Sequence, residues 1–216
     1  MNRFEAVIFD MDGLLLDSER LELQAFNLAC DQFELGDQVK VFERCVGANS
    51  VLRDLTLKEG FEGAVDFRKF RDAWEAEYAI ITHERVIPLK AGAIDLLNAM
   101  QLKGMPVAVA TSSSSDHAHS KLKLSGIYHY FDSIVGGDQV SESKPNPEIY
   151  LKAARELEIL PIDCLALEDS PNGVRAAVSA GMTVVQIPDL VQPDEELLKL
   201  GHIVLGSLAA VLSHPF

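Results

Sequence analysis

The sequence predicts an α/β protein in which a parallel β-sheet is covered by helices on both faces and a helical segment is inserted near the start of the chain. Two observations carry this prediction. Short apolar or β-branched runs of strand length recur, and each is followed by a turn signal and a longer stretch of helical periodicity. About ninety residues separate the first such run from the second, far more than one crossover helix needs.

The predicted strands are continuous apolar segments, which is typical of strands buried on both faces. They cover residues 6–10, 106–111, 133–136, 164–168, 183–187 and 202–205. Helices are predicted at 91–103, 115–125, 147–158 and 171–180. Asn146 and Ser170 are candidate N-caps because each precedes a proline at the expected first helical position. Glycines stand where helices should end, at Gly104, Gly126 and Gly181.

Residues 18–83 carry helical periodicity and no convincing strand, and we call the segment 16–85 that contains them the insert. Aromatic residues recur in it at partly helical spacing, which predicts a core of its own: Phe26, Phe33, Phe67, Phe70, Trp74 and Tyr78. We therefore expect two domains, a core domain formed by residues 1–15 and 86–216 and a helical domain formed by residues 16–85.

The composition is that of an ordinary globular protein. The chain has 216 residues, 48% of them hydrophobic, with 33 acidic and 19 basic side chains and a net charge of −14. This acidic balance argues against nucleic acid or an anionic membrane surface as a partner. The sequence does not indicate an oligomeric state.

The cysteines indicate a compartment. Cys30, Cys45 and Cys164 are odd in number and lack the spacing of a metal site or disulfide framework, so buried free thiols are expected. Free thiols are typical of a reducing environment, which predicts the cytoplasm. No segment has the pattern of a signal peptide or a membrane span.

Two carboxylates stand at the predicted end of the first strand. Asp10 and Asp12 precede Gly13 there, and open α/β folds bind ligands at the carboxyl ends of parallel strands. Carboxylates this close repel one another, so a cation is expected between them. An ordinary turn is the structural alternative. A calcium loop fits poorly, because Leu21 stands where such a loop ends in Glu.

Three further polar groups follow predicted strands or precede helices. Thr111 and Ser112 combine hydroxyls and backbone N–H groups at a helix start, which is typical of an anion site, although simple helix capping also explains them. Lys144 precedes a loop made rigid by prolines. Glu168 and Asp169 end another buried strand. Carboxylates, a hydroxyl and a lysine brought to one sheet edge suit phosphoryl transfer.

Four segments resemble the sequence motifs of the haloacid dehalogenase superfamily, in its branch of β-phosphoglucomutase-like and pseudouridine-5′-phosphatase-like enzymes. They are F-D-M-D-G-L-L-L-D-S-E at 9–19, A-V-A-T-S-S at 108–113, S-K-P-N-P at 143–147 and E-D-S-P-N-G at 168–173. The resemblance covers nearly the whole chain. It implies a Rossmann-like parallel sheet core with an α-helical cap domain, corresponding to the insert.

The resemblance also implies roles for the matching residues. Asp10 would be the nucleophile that forms an aspartyl phosphate, and Asp12 would protonate the leaving oxygen and then activate water. Thr111 and Lys144 would bind the transferring phosphoryl group, with Ser112 beside them.

A magnesium ion is the implied cofactor. The resemblance assigns its binding to Asp10, the Asp12 backbone carbonyl and Asp169, with Glu168 as a further ligand or as a support behind the ligands. True dehalogenases lack the acid at the position of Asp12, so halide displacement is disfavoured.

The resemblance leaves two activities open, a phosphatase and a phosphosugar mutase. Mutases of this branch hold a second phosphate with an arginine that follows Gly-Val-Ser, and Ser50 stands at the matching position here, after Gly47-Ala48-Asn49. Arg44 or Arg53 could supply the missing cation. We therefore predict a phosphatase that acts on a small phosphorylated metabolite, either a sugar phosphate or a nucleotide-like monoester. A non-catalytic domain that accepts a phosphoryl group is a remote alternative. It is disfavoured because the acceptor Asp of such domains is a separate residue that precedes the Thr and the Lys.

Overall fold

The computed structural model describes residues 3–83 and 85–216. Six strands form one sheet, and every pair of neighbours is parallel. The strands are β1 (Ala6–Phe9), β2 (Val107–Ala110), β3 (Ser133–Val135), β4 (Cys164–Glu168), β5 (Thr183–Gln186) and β6 (Ile203–Val204). Their order across the sheet is β3-β2-β1-β4-β5-β6. The α/β fold class and the parallel sheet are confirmed, and β1 lies between β2 and β4.

Ten α-helices connect the strands in the described part of the chain. They are α1 (Glu19–Gln32), α2 (Val39–Cys45), α3 (Ser50–Gly60), α4 (Phe67–Thr82), α5 (Ala93–Leu102), α6 (Ser115–Leu124), α7 (Glu148–Glu156), α8 (Pro171–Ser179), α9 (Glu195–Leu198) and α10 (Leu208–Ser213). Short 3₁₀ turns occupy Tyr128–Tyr130, Gly137–Gln139 and Pro161–Asp163.

The sheet is buried on both faces because successive side chains of a strand point to opposite sides. In β1, Val7 and Phe9 join an apolar cluster with residues of α5, α6 and α10. Ala6 and Ile8 join a second cluster with residues of α7 and α8. This two-sided burial explains why the strands read as continuous apolar runs rather than alternating ones.

Helices α1–α4 pack around a third apolar cluster. Phe26 lies at its centre, with ring centroids 5.4 Å from Phe42, 5.3 Å from Phe70 and 5.1 Å from Trp74. The aromatic residues of the insert therefore form a core of their own, as the sequence predicts. The division into two domains at residues 15 and 85 stays a prediction.

The chain passes between the insert and the sheet twice, and the two crossings are tied together. Leu16 and Leu89 form an isolated antiparallel bridge. The Asp17 N–H donates to the Pro88 carbonyl at 2.8 Å, and the Lys90 N–H donates to the Leu15 carbonyl at 2.9 Å. We call this pair of segments the paired linkers.

Most predicted helix boundaries agree with the structure. Ser170 caps α8, with its hydroxyl accepting the Gly173 N–H at 3.1 Å. One detail is wrong: Pro147 is not the first helical residue, and α7 begins at Glu148. The Asn146 side chain nevertheless accepts the Glu148 N–H at 3.0 Å, so it still caps the first turn of the helix.

All three cysteines are free and buried, as expected. Within residues 3–83 and 85–216, no helix combines the length and apolar character needed to cross a membrane. The cytoplasmic location stays a prediction.

Candidate active site

The polar residues singled out in the sequence meet at one edge of the sheet. Asp10 follows β1, Thr111 follows β2, and Glu168 and Asp169 end and follow β4. Because these three strands are adjacent and parallel, their carboxyl ends lie side by side. A cavity of about 640 Å³ opens over this edge and is lined by Asp10, Asp12 and Thr111 together with residues of the insert.

Lys144 is the buried cation of the site. Its side chain is 1% exposed, and its ammonium group donates hydrogen bonds to Asp10 Oδ1 and, at 2.6 Å, to Glu168 Oε1. A buried lysine needs such partners, because an unpaired charge in the interior is costly. The Tyr150 hydroxyl donates to the same Glu168 oxygen at 2.7 Å. The network fixes Lys144 against the carboxylate that is the candidate nucleophile.

Glu168 is fully engaged by hydrogen bonds. Its second oxygen accepts the backbone N–H groups of Asp169 and Ser170 at 3.0 and 3.2 Å and the Ser170 hydroxyl at 3.1 Å. A Cβ on Gly173 would lie 1.7 Å from Glu168 Oε1, so this carboxylate needs glycine beside it. Of the two roles expected for Glu168, the geometry favours support of Lys144 over metal ligation.

Asp10 and Asp169 differ from Glu168 because each keeps a carboxylate oxygen without a hydrogen-bond donor in residues 3–83 and 85–216, as a metal ligand would. Ligand atoms of Asp10, Glu168 and Asp169 lie within 4.8 Å of one another. Among the described residues, no donor bonds to the Asp169 carboxylate or to Asp10 Oδ2. The Asp12 carbonyl likewise accepts no backbone hydrogen bond in the described part of the chain. These free oxygens fit a hard cation such as Mg²⁺.

The protonation of the two acids agrees with this interpretation. Burial raises the pKa of Asp10 to about 8, since the opposing attraction of Lys144 is offset partly by Glu168 and Asp12. Burial, followed by repulsion from Asp10 and Glu168, raises the pKa of Asp169 well above its ordinary value. A bound cation would relieve both effects by stabilising the carboxylate forms.

Gly13 is required by the close approach of Asp169. Its φ of +84° lies in the left-handed region, and a Cβ there would lie 2.2 Å from Asp169 Oδ2. The turn after Asp12 can therefore pass directly over the Asp169 carboxylate. This contact explains the glycine of the first motif in physical terms.

Asp12 lies apart from the Lys144 network, in a shell of donors. Ser18 and Lys121 donate to its Oδ1, each at 2.8 Å, and the Ser113 hydroxyl donates to its Oδ2 at 2.8 Å. Burial alone would raise the pKa of Asp12, but Lys121 and the two hydroxyls outweigh it and lower the pKa. Asp12 is therefore held as a carboxylate, in the form that can accept a proton.

Thr111 and Ser112 separate in the structure. Thr111 is 1% exposed, and its hydroxyl oxygen accepts the Ser113 N–H at 3.1 Å, which leaves the hydroxyl hydrogen free to donate. The Ser112 hydroxyl turns toward the insert, where it donates to the Gly47 carbonyl at 3.3 Å and lies 3.4 Å from the Ser143 hydroxyl. Thr111 thus keeps the geometry of an anion-binding residue, whereas the Ser112 side chain joins the insert to the sheet.

Residues of the insert form part of the cavity wall and contact the loops at the sheet edge. Asn172 donates to the Val46 carbonyl at 3.3 Å, and Gly47, with φ of +67°, packs so closely on Ser170 that a Cβ would lie 2.3 Å from the Ser170 hydroxyl. Glu19, Glu22, Arg53, Trp74 and Tyr78 complete the cavity wall. Glu19 Oε2 is buried and finds no hydrogen-bond partner among the described residues.

Sequence reasoning missed Lys121, Ser113, Ser18 and most wall residues of the insert, of which it named Arg53 as a candidate cation. Lys121 carried a usable signal, because it lies three residues after the buried Ala118 and so shares its face of α6. A charged side chain on the buried face of an amphipathic helix needs a partner. The wall residues of the insert carried no local signal for this site, since the packing of the insert brings them to the cavity.

Residues 7–187 match the sequence profile of the family described as haloacid dehalogenase-like hydrolase. The chain is 31% identical over 210 residues to the phosphorylated carbohydrates phosphatase of Thermotoga maritima, covering 97% of both chains. It is 34% identical over 210 residues to a Drosophila melanogaster protein named "Probable pseudouridine-5′-phosphatase", covering 94% of this chain and 89% of that one.

A solved structure is also similar. CbbY from Rhodobacter sphaeroides, in complex with phosphate, superposes with a TM-score of 0.76 at 29% sequence identity, covering 96% of each chain. The similarity therefore extends over the sheet and the insert together.

Proposed function

The chain belongs to the haloacid dehalogenase-like hydrolase family and is a phosphoric monoester hydrolase, and we propose that it is a Mg²⁺-dependent phosphatase acting through an aspartyl phosphate on Asp10. The observation that carries the proposal is the buried contact of Lys144 with Asp10 at the sheet edge. A carboxylate held by a lysine beside further free acid oxygens is suited to receive a phosphoryl group and to hold its charge.

In the first proposed step, an oxygen of Asp10 bonds to phosphorus while the bond from phosphorus to the substrate's ester oxygen breaks. Lys144 offsets charge on the reacting phosphoryl group, and the Thr111 hydroxyl donates to one of its oxygens. Asp12, which takes up a proton when the substrate binds, gives that proton to the departing oxygen, which leaves as an alcohol.

In the second step, Asp12 takes a proton from water as the water oxygen bonds to phosphorus. The bond between phosphorus and Asp10 breaks, which restores the carboxylate and releases inorganic phosphate. The donors around Asp12 support this step, because Lys121, Ser18 and Ser113 favour its ionised form.

Mg²⁺ would be held by Asp10, Asp169 and the Asp12 carbonyl, because Asp10 Oδ2, the Asp169 carboxylate and that carbonyl lack donors among the described residues. When bound, it supplies positive charge that offsets the phosphate and the carboxylates. Glu168 supports the site through Lys144.

Hydrolysis is favoured over a mutase reaction by the surroundings of Arg44 and Arg53, the two residues considered as substitutes for the mutase arginine. Arg44 is half exposed and pairs with Glu59 at 2.8 Å, and it does not belong to the cavity wall. Arg53 does line the cavity, but Glu22 Oε2 lies 3.6 Å from its Nη2. A second phosphate dianion would have to approach that glutamate. The phosphoacceptor-domain alternative loses its support, because the family match is to hydrolases over residues 7–187.

The test is a phosphate-release screen with Mg²⁺ over sugar phosphates, sugar-alcohol phosphates, nucleoside monophosphates and p-nitrophenyl phosphate. Multiple turnovers on at least one ester, abolished by excess chelator, are expected. In parallel, β-glucose 1-phosphate with a trace of the 1,6-bisphosphate should form little glucose 6-phosphate. Rapid isomerisation without phosphate release would overturn the phosphatase proposal.

A further inference from the structure

The insert contributes a cation to the cavity wall, and one N–H group of this cation has no hydrogen-bond partner in the described residues. Arg53 lies on α3, and its Nε is buried without a hydrogen-bond partner in the described residues. Glu22 Oε2 lies 3.6 Å from Nη2, beyond hydrogen-bond distance. By contrast, Lys144 and Lys121 each bond to carboxylates at hydrogen-bond distance. Buried donors without partners are rare and call for a ligand.

Arg53 is nevertheless held in place. Its guanidinium lies over the Trp74 ring, 4.7 Å from the centroid. Trp74 is buried in the insert's core and donates from Nε1 to the Glu22 carbonyl at 3.1 Å. Trp74 therefore fixes the arginine by stacking and fixes the backbone that carries Glu22 by a hydrogen bond. Donors fixed before a ligand arrives lose little freedom when it binds.

The charges around Arg53 indicate what kind of group would bind there. Glu22 and Glu75 line the same cavity, and both attract the Arg53 charge. A phosphate or carboxylate on the substrate would be repelled by these acids. A hydroxyl group is suited to the arrangement, because its oxygen accepts from the guanidinium while its hydrogen donates to a carboxylate.

The aromatic residues of the wall argue against a nucleobase. Recognition of a base commonly uses an open aromatic face for stacking. Trp74 is 2% exposed and carries Arg53 over its ring. Tyr78 carries the Lys121 ammonium 5.3 Å from its ring centroid. Cations therefore already cover both rings.

We infer that Arg53 and Glu22 form the specificity-determining pair of the site and bind neighbouring hydroxyl groups of a polyhydroxylated phosphomonoester, a sugar or sugar-alcohol phosphate. The inference rests on the proposed phosphatase activity and adds the class of substrate. Arg53 donates to one hydroxyl oxygen, Glu22 accepts from the next hydroxyl, and the phosphoryl group lies at Asp10, which lines the same cavity.

The test compares sorbitol 6-phosphate and fructose 1-phosphate with uridine 5′-monophosphate and p-nitrophenyl phosphate, the last of which offers no hydroxyl to the pair. Wild-type kcat/KM should be highest for one of the two polyol esters. In Arg53→Gln, kcat/KM for that ester should fall about 10- to 100-fold, mainly through KM, as for loss of a charged hydrogen bond. The ratio of polyol-ester to p-nitrophenyl phosphate kcat/KM should fall at least tenfold.

Two further variants keep the test decisive. Glu22→Gln preserves size and should lower the same ratio, which covers the case in which Arg53→Gln fails to fold. Arg44→Gln removes an exposed cation of the insert away from the cavity and should leave the ratio unchanged.

Each outcome has a distinct meaning. Equal losses on all esters in both cavity variants would make the pair structural and overturn the inference. A wild-type preference for uridine 5′-monophosphate would also overturn it while leaving the phosphatase intact. Release of phosphate from none of the four esters would instead count against the proposed function.

Discussion

Replacing Lys144 with Met tests the electrostatic design of the site directly. The change keeps an apolar stem of similar length but removes the ammonium group that bonds to Asp10 and Glu168. Asp10, Glu168 and Asp169 would then share a buried space without that cation. Loss of one partner from a buried ion pair costs about 3–5 kcal/mol. For a chain of this size, that corresponds to a fall of roughly 6–20 °C in Tm.

The deficit should depend on pH. The pKa of Asp10 is already about 8 and would rise further without the attraction of Lys144. A carboxyl group whose pKa is raised by folding binds protons more tightly in the folded state, so the free energy of unfolding increases as pH falls from about 8 toward 4. We therefore expect the Lys144→Met deficit to be largest near pH 8 and to shrink near pH 5.

The assay is urea unfolding followed by far-ultraviolet circular dichroism, in chelator, at both pH values. Lys152→Met is the matched control, because Lys152 is a partly exposed lysine of α7 that pairs with Glu156 at 3.2 Å, and its loss should cost at most about 1 kcal/mol. A Lys144→Met deficit no larger than that of the control at pH 8, or one that grows on acidification, would refute the reasoning.

Three further predictions concern catalysis. Asp10→Asn should release no phosphate while its circular dichroism spectrum stays native; turnover at the wild-type rate would contradict a nucleophilic role. Asp12→Ala should lose more activity on sugar phosphates, whose alkoxide leaving group needs a proton, than on p-nitrophenyl phosphate; equal losses would argue against Asp12 as the acid. Mg²⁺ should raise Tm more at pH 8 than at pH 5, because Asp10 and Asp169 must lose protons to bind it, whereas Ca²⁺ should support activity poorly; full activity in excess chelator would exclude the metal role.

The sheet and its edge could be predicted from the sequence because their signals are local. A buried parallel strand is a continuous apolar run, and the acids at its carboxyl end interrupt that run abruptly, as Asp10 and Asp169 do. The sequence places Asp10 and Asp169 at predicted strand ends and Lys144 next to a helix start. The resemblance to the haloacid dehalogenase superfamily then assigns these residues to one site.

The remaining part of the site depends on how distant segments pack, which no local pattern encodes. Arg53 reaches the cavity only because α3 and α4 pack together and place Trp74 beneath its guanidinium. Likewise, Glu168 resembles a metal ligand in sequence, but Tyr150 and Lys144 occupy its oxygen in the fold. The hydroxyl of Ser112 turns to the insert because the Gly47 carbonyl lies within its reach.

The paired linkers limit how the insert can move relative to the sheet. Two chain crossings joined by backbone hydrogen bonds leave fewer directions of movement than a single flexible tether would. The insert also contacts the rest of the chain through side chains: Asn172 and Ser112 donate to the Val46 and Gly47 carbonyls, each at 3.3 Å, and Arg20 donates to Asp189 at 3.1 Å. These contacts and the paired linkers hold Arg53 of the insert and Asp10 of the sheet edge in the wall of one cavity, so the position of the insert sets the space available to an ester.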